Sequence, residues 1–300
     1  MTSSHPPRAG MSTTDLLEAA GARCMDLQRE MRRRYPSVLG DLHRIAAVKG
    51  SDPDFEWPDD IWLPMAAAHK VVGDAYGGVV PPHLGRDLAR VAALSTWDLD
   101  KGVFWVTPEV AELVVPALWS GETALDPRIP RERIMTGLPQ YCVYVAFPVP
   151  AEPRAADLAE APWGVFIHLE VDQNTRRPEI RFAVDVDGTW DGLSTFLVFA
   201  DALTLGANVR QQRNTYAPGL DGEDVVEQLR LNSFLVWPAL LALVEPGVEH
   251  RRVDLPGELV RRVTATRSPG GAIKWPRAKA PSLWSATVAD VDTPAPLRSA

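Results

Sequence analysis

The chain has 300 residues, 46% of them hydrophobic and 23% charged, with a formal net charge of −8 at pH 7. That balance supports a real core in one large domain or two small ones, and the acidic total argues against a protein that coats nucleic acid indiscriminately. No apolar run approaches the ~20 residues of a membrane span, the N-terminus holds no secretory signal, and Cys24 and Cys142 are isolated thiols. A cytoplasmic chain with no membrane partner, no disulfide and no cofactor is expected.

Residues 1–12, polar and broken by Pro6, Pro7 and Gly10, read as a disordered lead-in to one domain over 13–250: helical over 13–96, sheet-centred over 97–200, helical over 201–250. Asp15 and Glu18 suggest a capped helix start, and Leu16, Ala20, Cys24, Leu27 and Met31 recur at helical spacing until Tyr35-Pro36 ends the pattern. Arg29, Arg32, Arg33 and Arg34 in the last turn suit the negative end of the helix dipole. Further helices follow over 39–48, after Pro64 and after Pro81-Pro82, the last with Leu84, Leu88, Val91 and Leu94 as its buried stripe. His69 and His83 have no partner at ligand spacing and read as packed or solvated side chains.

Gly102 to Val106 reads as a strand, Thr107-Pro108-Glu109 as a helix start, and Tyr141 to Phe147, apolar almost throughout, as a central strand buried on both faces. Strict period-two alternation then runs through two segments joined by a turn, from Trp163 to Gly188, which is a β-hairpin signature. Val165, Ile167, Leu169 and Val171, with Ile180, Phe182, Val184 and Val186, form its apolar face. Phe166, His168, Glu170 and Asp172, with Glu179, Arg181 and Asp185, form the reverse. A one-residue slip would push Glu170 and Arg181 into the apolar layer, so Arg181 falls across from, or diagonal to, Glu170 and His168. A cross-strand ion pair of ~0.2–1 kcal/mol on a solvated or self-paired face is the plain expectation. Asp187 to Gly192 looks like a calcium loop, but Val198 stands where a bidentate glutamate is needed, which leaves a tight turn.

Leu193 to Phe199 reads as a further strand and Asp221 to Val236 as a helix that Pro238 kinks before Leu240 to Val244. Residues 251–300 read as an irregular, proline-rich basic segment: between Arg251 and Ser282, Arg251, Arg252, Arg261, Arg262, Arg267, Lys274, Arg277 and Lys279 face only Asp254 and Glu258. The expected fold is α+β, an N-terminal helical layer packed on a mainly antiparallel sheet of about five strands, with C-terminal helices.

A phosphate-binding glycine loop, a dinucleotide fingerprint, HExxH, paired CxxC and a GxSxG elbow are all missing. The constellation that could carry chemistry is His168, Glu170 and Asp172 on one strand face with Arg181 opposite. Carboxylates plus a histidine could form a metal-dependent nuclease or hydrolase site. Alternatively the chain is a non-catalytic interaction module with Trp57, Trp62 and Trp105 as interface anchors.

A series of segments carries a resemblance: Trp62-Leu63-Pro64-Met65-Ala66-Ala67-Ala68, then Leu138-Pro139-Gln140-Tyr141-Cys142-Val143-Tyr144, then Gly164 to Glu170, Asn174-Thr175 and Pro178-Glu179-Ile180-Arg181. In this order, over roughly residues 35–250, they look like the type V-A anti-CRISPR family whose members lower production of the CRISPR effector nuclease, with relatives on bacterial chromosomes, plasmids and phages. Trp237-Pro238 departs from the unbroken leucine-rich helix expected there. The resemblance implies recognition of a nascent peptide or ribonucleoprotein followed by lowered expression of the target. In that reading Glu170 and Arg181 meet the protein partner, and Arg251, Arg252, Arg261 and Arg262 meet RNA or ribosome phosphates.

Overall fold

The computed structural model describes residues 11–51, 56–81, 84–110, 131–147, 162–172, 175–200, 207–208, 211, 236–259, 261–267, 269 and 273–288. The expected lead-in, the helix over 221–236 and His83 fall at least in part outside them. Four helices open the fold: α1 (Thr13–Arg34), α2 (Val38–Ala47), α3 (Met65–Ala75) and α4 (Gly85–Trp97). The cap of α1 is one turn earlier than the sequence suggests. Ser12 Oγ accepts from the Asp15 amide at 3.2 Å and the Asp15 carboxylate accepts from the Ser12 amide at 3.3 Å, so Asp15 is the acidic third residue of the capping box. The α1 stripe from Leu16 to Met31 is buried as its spacing requires.

The strands are β1 (Gly102–Val106), β2 (Cys142–Ala146), β3 (Gly164–Val171), β4 (Pro178–Asp185), β5 (Leu193–Phe199), β6 (Val248–Arg252) and β9 (Ser282–Val288) in one seven-stranded sheet, ordered β5-β4-β3-β2-β1-β9-β6. The short β7 (Thr266–Arg267) and β8 (Ile273–Lys274) pair separately. The α+β class holds, but the sheet is larger than about five strands and is mixed: β1 runs parallel to both β2 and β9. The two extra strands come from residues whose prolines and charges hide them. β6 alternates only between exposed and half-buried positions, and β9 returns from the basic segment to sit beside β1. The segment expected to be irregular therefore contributes one of the inner strands.

The hairpin register places His168 opposite Arg181 and Glu170 opposite Glu179. α1 lies against β1, β2 and β9, and α4 against β2 to β5. Both helices sit on the face that carries Phe166 and His168: the Trp97 ring meets Phe166 edge-on at 5.9 Å, and Arg23 of α1 reaches Asp185. That face, expected to be solvated or self-paired, is buried beneath the helical layer. On the other face Val143, Val165, Ile167, Phe182 and Trp284 are buried; residues 236–244 are helical and buried except for half-buried Pro238, which lies inside the helical stretch. Each such large aliphatic or aromatic side chain stabilises the fold by ~1.5–3 kcal/mol.

Candidate functional site

The polar side of the hairpin gathers two acids, a guanidinium and an imidazole. His168 Nε2 lies 2.9 Å from Glu170 Oε1, Arg181 Nε 3.0 Å from Glu170 Oε2, and Arg181 Nη2 donates to Glu179 Oε2 at 2.6 Å. The Arg181 N–H bonds are aimed at Glu179, so its approach to Glu170 is charge pairing rather than an aligned bond. Burial raises the pKa of Glu170, but His168 and Arg181 beside it outweigh burial and hold it below the ordinary value; burial leaves Glu179 above its own, offset in part by Arg181. His168 and Glu170 are each 1% exposed, so neither offers an atom to a substrate arriving from solvent.

Asp172, the third candidate ligand, serves the turn: its Oδ1 accepts from the Thr175 amide at 2.9 Å and caps the hairpin turn. Among the described residues no three His, Cys, Asp or Glu side chains are grouped to hold a metal. The Asp187 loop behaves as a turn, its Oδ1 accepting from the Thr189 amide at 2.8 Å and hydroxyl at 2.7 Å.

A second buried network lies at the far end of the same face, and sequence reasoning missed its helical half. Arg23 forks onto Asp185 (Nε to Oδ2 3.1 Å, Nη2 to Oδ1 2.9 Å) and stacks over Trp163 at 4.1 Å. Asp185 also accepts from the Tyr144 hydroxyl at 3.0 Å and the Gly188 amide at 2.7 Å. Two glycines make the room: a Cβ on Gly164 would strike the Tyr144 ring, and one on Gly188, whose φ is +76°, would strike the Arg23 guanidinium. The signal was present, since Arg23 and Gln28 sit at helical spacing among Ala20, Cys24, Leu27 and Met31.

The arginines expected to meet phosphate are dispersed. Arg252 pairs with Asp254 at 2.8 Å and lies 5.7 Å over Trp284; Arg251 pairs with Glu249 at 3.1 Å; the Arg262 guanidinium bonds the Met135 carbonyl; Arg261 is exposed. Of the expected aromatic anchors, Trp57 and Trp62 are core residues and Trp105 is half-buried.

An open feature near the hairpin is a cleft of about 670 Å³ beside its turn, walled by residues 49–50 and 56–59, Val171 and Arg176, and Ala265, Ile273 and Trp275 of the C-terminal part. Lys49 pairs with Asp59 at 3.0 Å and lies 5.6 Å over the Trp57 ring, while Arg176, at φ +58°, donates to the Glu56 carbonyl. Aromatic and aliphatic walls with charges of both signs at the rim suit a short peptide rather than a polyanion.

The profile of the AcrVA2-like family, the anti-CRISPR type V subtype A2 family, matches residues 104–292, which hold six strands of the main sheet whole and β1 from Phe104 on. The chain belongs to that family. The crystal structure of AcrVA2 is similar to this family member at a TM-score of 0.55 over 88% of this chain and 83% of that one, with 13% sequence identity, which speaks to the fold. Among the curated proteins none is similar to it. No helix among its described residues is long and apolar enough to cross a membrane.

Proposed function

We propose that the chain is an anti-CRISPR-like regulator that recognises a nascent peptide or a ribonucleoprotein and lowers expression of its target. Family membership over residues 104–292 supports this reading. The burial of His168 and Glu170 favours this reading over a hydrolase, because a hydrolase needs its acid and base within reach of substrate. The recognition element in this reading is the cleft at the hairpin turn, with Trp57 and Trp275 as apolar walls and Lys49, Glu56, Asp59 and Arg176 at the rim.

The test is a reporter assay in cells carrying a type V-A effector nuclease. Transcript and protein levels of the effector are measured with wild-type chain, with Trp275→Ala and with Arg176→Glu. The expected result is a fall in transcript with the wild type and its loss in both variants. Unchanged transcript with the wild type ends the proposal for that target.

A further inference from the structure

Asp98, which follows α4, is fully buried, and three cations converge on it. Lys101 Nζ lies 2.7 Å from Oδ1, Arg32 Nη2 3.2 Å from the same oxygen, and Arg277 Nε bonds Oδ2. Gln28 adds a donor to Oδ1 at 2.8 Å. One carboxylate thus faces three positive groups, a local excess of two positive charges on a chain whose net charge is −8.

The excess is open to solvent. The side chains of Arg32 and Arg277 are 43% and 42% exposed, and among the described residues neither pairs with any acid but Asp98. Arg32 spends only Nη2, on Asp98 and on Gln28 Oε1 at 3.1 Å, and Arg277 spends only Nε. Among the described residues, Nε and Nη1 of Arg32 and both Nη atoms of Arg277 keep donors without acceptors. His43 lies beside Arg277 and Asp98, and its buried Nε2 also has no partner among the described residues. Guanidinium groups present planar forks of N–H donors that match phosphate oxygens, and an anion placed between two of them relieves their mutual repulsion.

We propose that Arg32 and Arg277 form an oxyanion site that takes a phosphate group and bridges the end of α1 to the segment leading into β9. Free phosphate and the backbone phosphate of single-stranded RNA share this chemistry. Inorganic phosphate and a short oligoribonucleotide are therefore titrated separately into the purified full chain by calorimetry, with chloride at equal ionic strength as the control. The expected result is binding of at least one of them beyond the chloride control. Arg32→Gln and Arg277→Gln each weaken it by roughly tenfold to a hundredfold, the range for one charge-assisted hydrogen bond. Asp98 keeps two cations in either variant, and circular dichroism checks that the fold survives. Arg29→Gln, on the same turn of α1 but paired with Asp26, leaves binding unchanged. Binding of phosphate alone or of the oligoribonucleotide alone, lost in both variants, upholds the site and names its source. No binding beyond chloride, or equal affinity in the wild type and both variants, overturns it.

Discussion

Asp185 and Asp98 are both fully buried carboxylates at the interface of helices and sheet, yet they are neutralised in opposite ways. Asp185 is closed: one guanidinium, one hydroxyl and one backbone amide fill its lone pairs, and Arg23 is itself only 3% exposed. Asp98 is over-supplied, with two of its three cations half in solvent. The contrast separates a charge kept for architecture from one with capacity to spare. A closed pair fixes where α1 docks on β4 and offers nothing to a ligand; an overcharged carboxylate leaves donors facing outward.

The largest expected effect follows from the closed site. Arg23→Met removes the one cation that pairs with Asp185 among the described residues and leaves a buried charge unpaired, costing about 3–5 kcal/mol of stability. Chemical denaturation measures it, and a loss as small as that of a surface ion pair would show that Asp185 is not held in the way its geometry states.

Asp100 sharpens the comparison as a third case, a buried carboxylate with no cation bonded to it among the described residues. Burial alone pushes its pKa up to about 7. Since the native value lies above the ordinary 3.8, the native state binds the extra proton, and stability falls as pH rises from 3.8 to about 7. Asp100→Asn stays neutral throughout. It should gain on the wild type across that window and level off above it, by a few kcal/mol in all, as read from unfolding midpoints over a pH series. A constant difference between the two proteins at every pH would sink this assignment.

Glu170 gives the intermediate case. Its native pKa is held below the ordinary 4.5, so its contribution is complete above pH 4.5 and lost as pH falls through the lowered value. Glu170→Gln should cost about 1–3 kcal/mol at neutral pH, the usual worth of a charge-assisted bond. The gap to the wild type should close only in acid. If the variant were as stable as the wild type at pH 7, His168 and Arg181 would not depend on that carboxylate.

The hairpin was legible because burial on one face of a strand forces period two. Keeping Glu170 and Arg181 out of the apolar layer excluded a one-residue slip but left Arg181 across from either His168 or Glu170, and the structure pairs it with His168. The burial of its polar reverse was not legible, since a strand's alternation reveals that its faces differ but not what lies above each. What covers this reverse is α1 and α4, and their own contribution, Arg23 and Arg90, is polar residues set into buried stripes. Arg90 donates to the Leu193 carbonyl at 3.0 Å and Asp87 at 3.0 Å, a bond to a strand 103 residues away that no local pattern encodes. β9 was hidden for a related reason. Its Leu283, Trp284 and Ala286 are buried, but the strand pairs with β1 about 180 residues earlier, and the prolines before it read as loop. The resemblance carried by short segments along the chain survived where local periodicity failed.

The smallest effects belong to the four C-terminal arginines, and their inequality is the informative part. A phosphate-binding stripe would make Arg251, Arg252, Arg261 and Arg262 interchangeable in stability, each a solvated charge. The structure makes them unequal. Arg262→Gln should cost ~1 kcal/mol, because its guanidinium bonds the Met135 carbonyl and ties the C-terminal segment to the helix Arg131–Gly137. Arg252→Gln should cost ~0.5–1 kcal/mol through Asp254 and the Trp284 face, and Arg261→Gln, exposed, less than about 0.5 kcal/mol. Denaturation curves of the single variants decide it: equal losses at Arg261 and Arg262 would mean that the C-terminal segment is not anchored through its arginines, and that the contrast between closed and open charge stops at the helical layer.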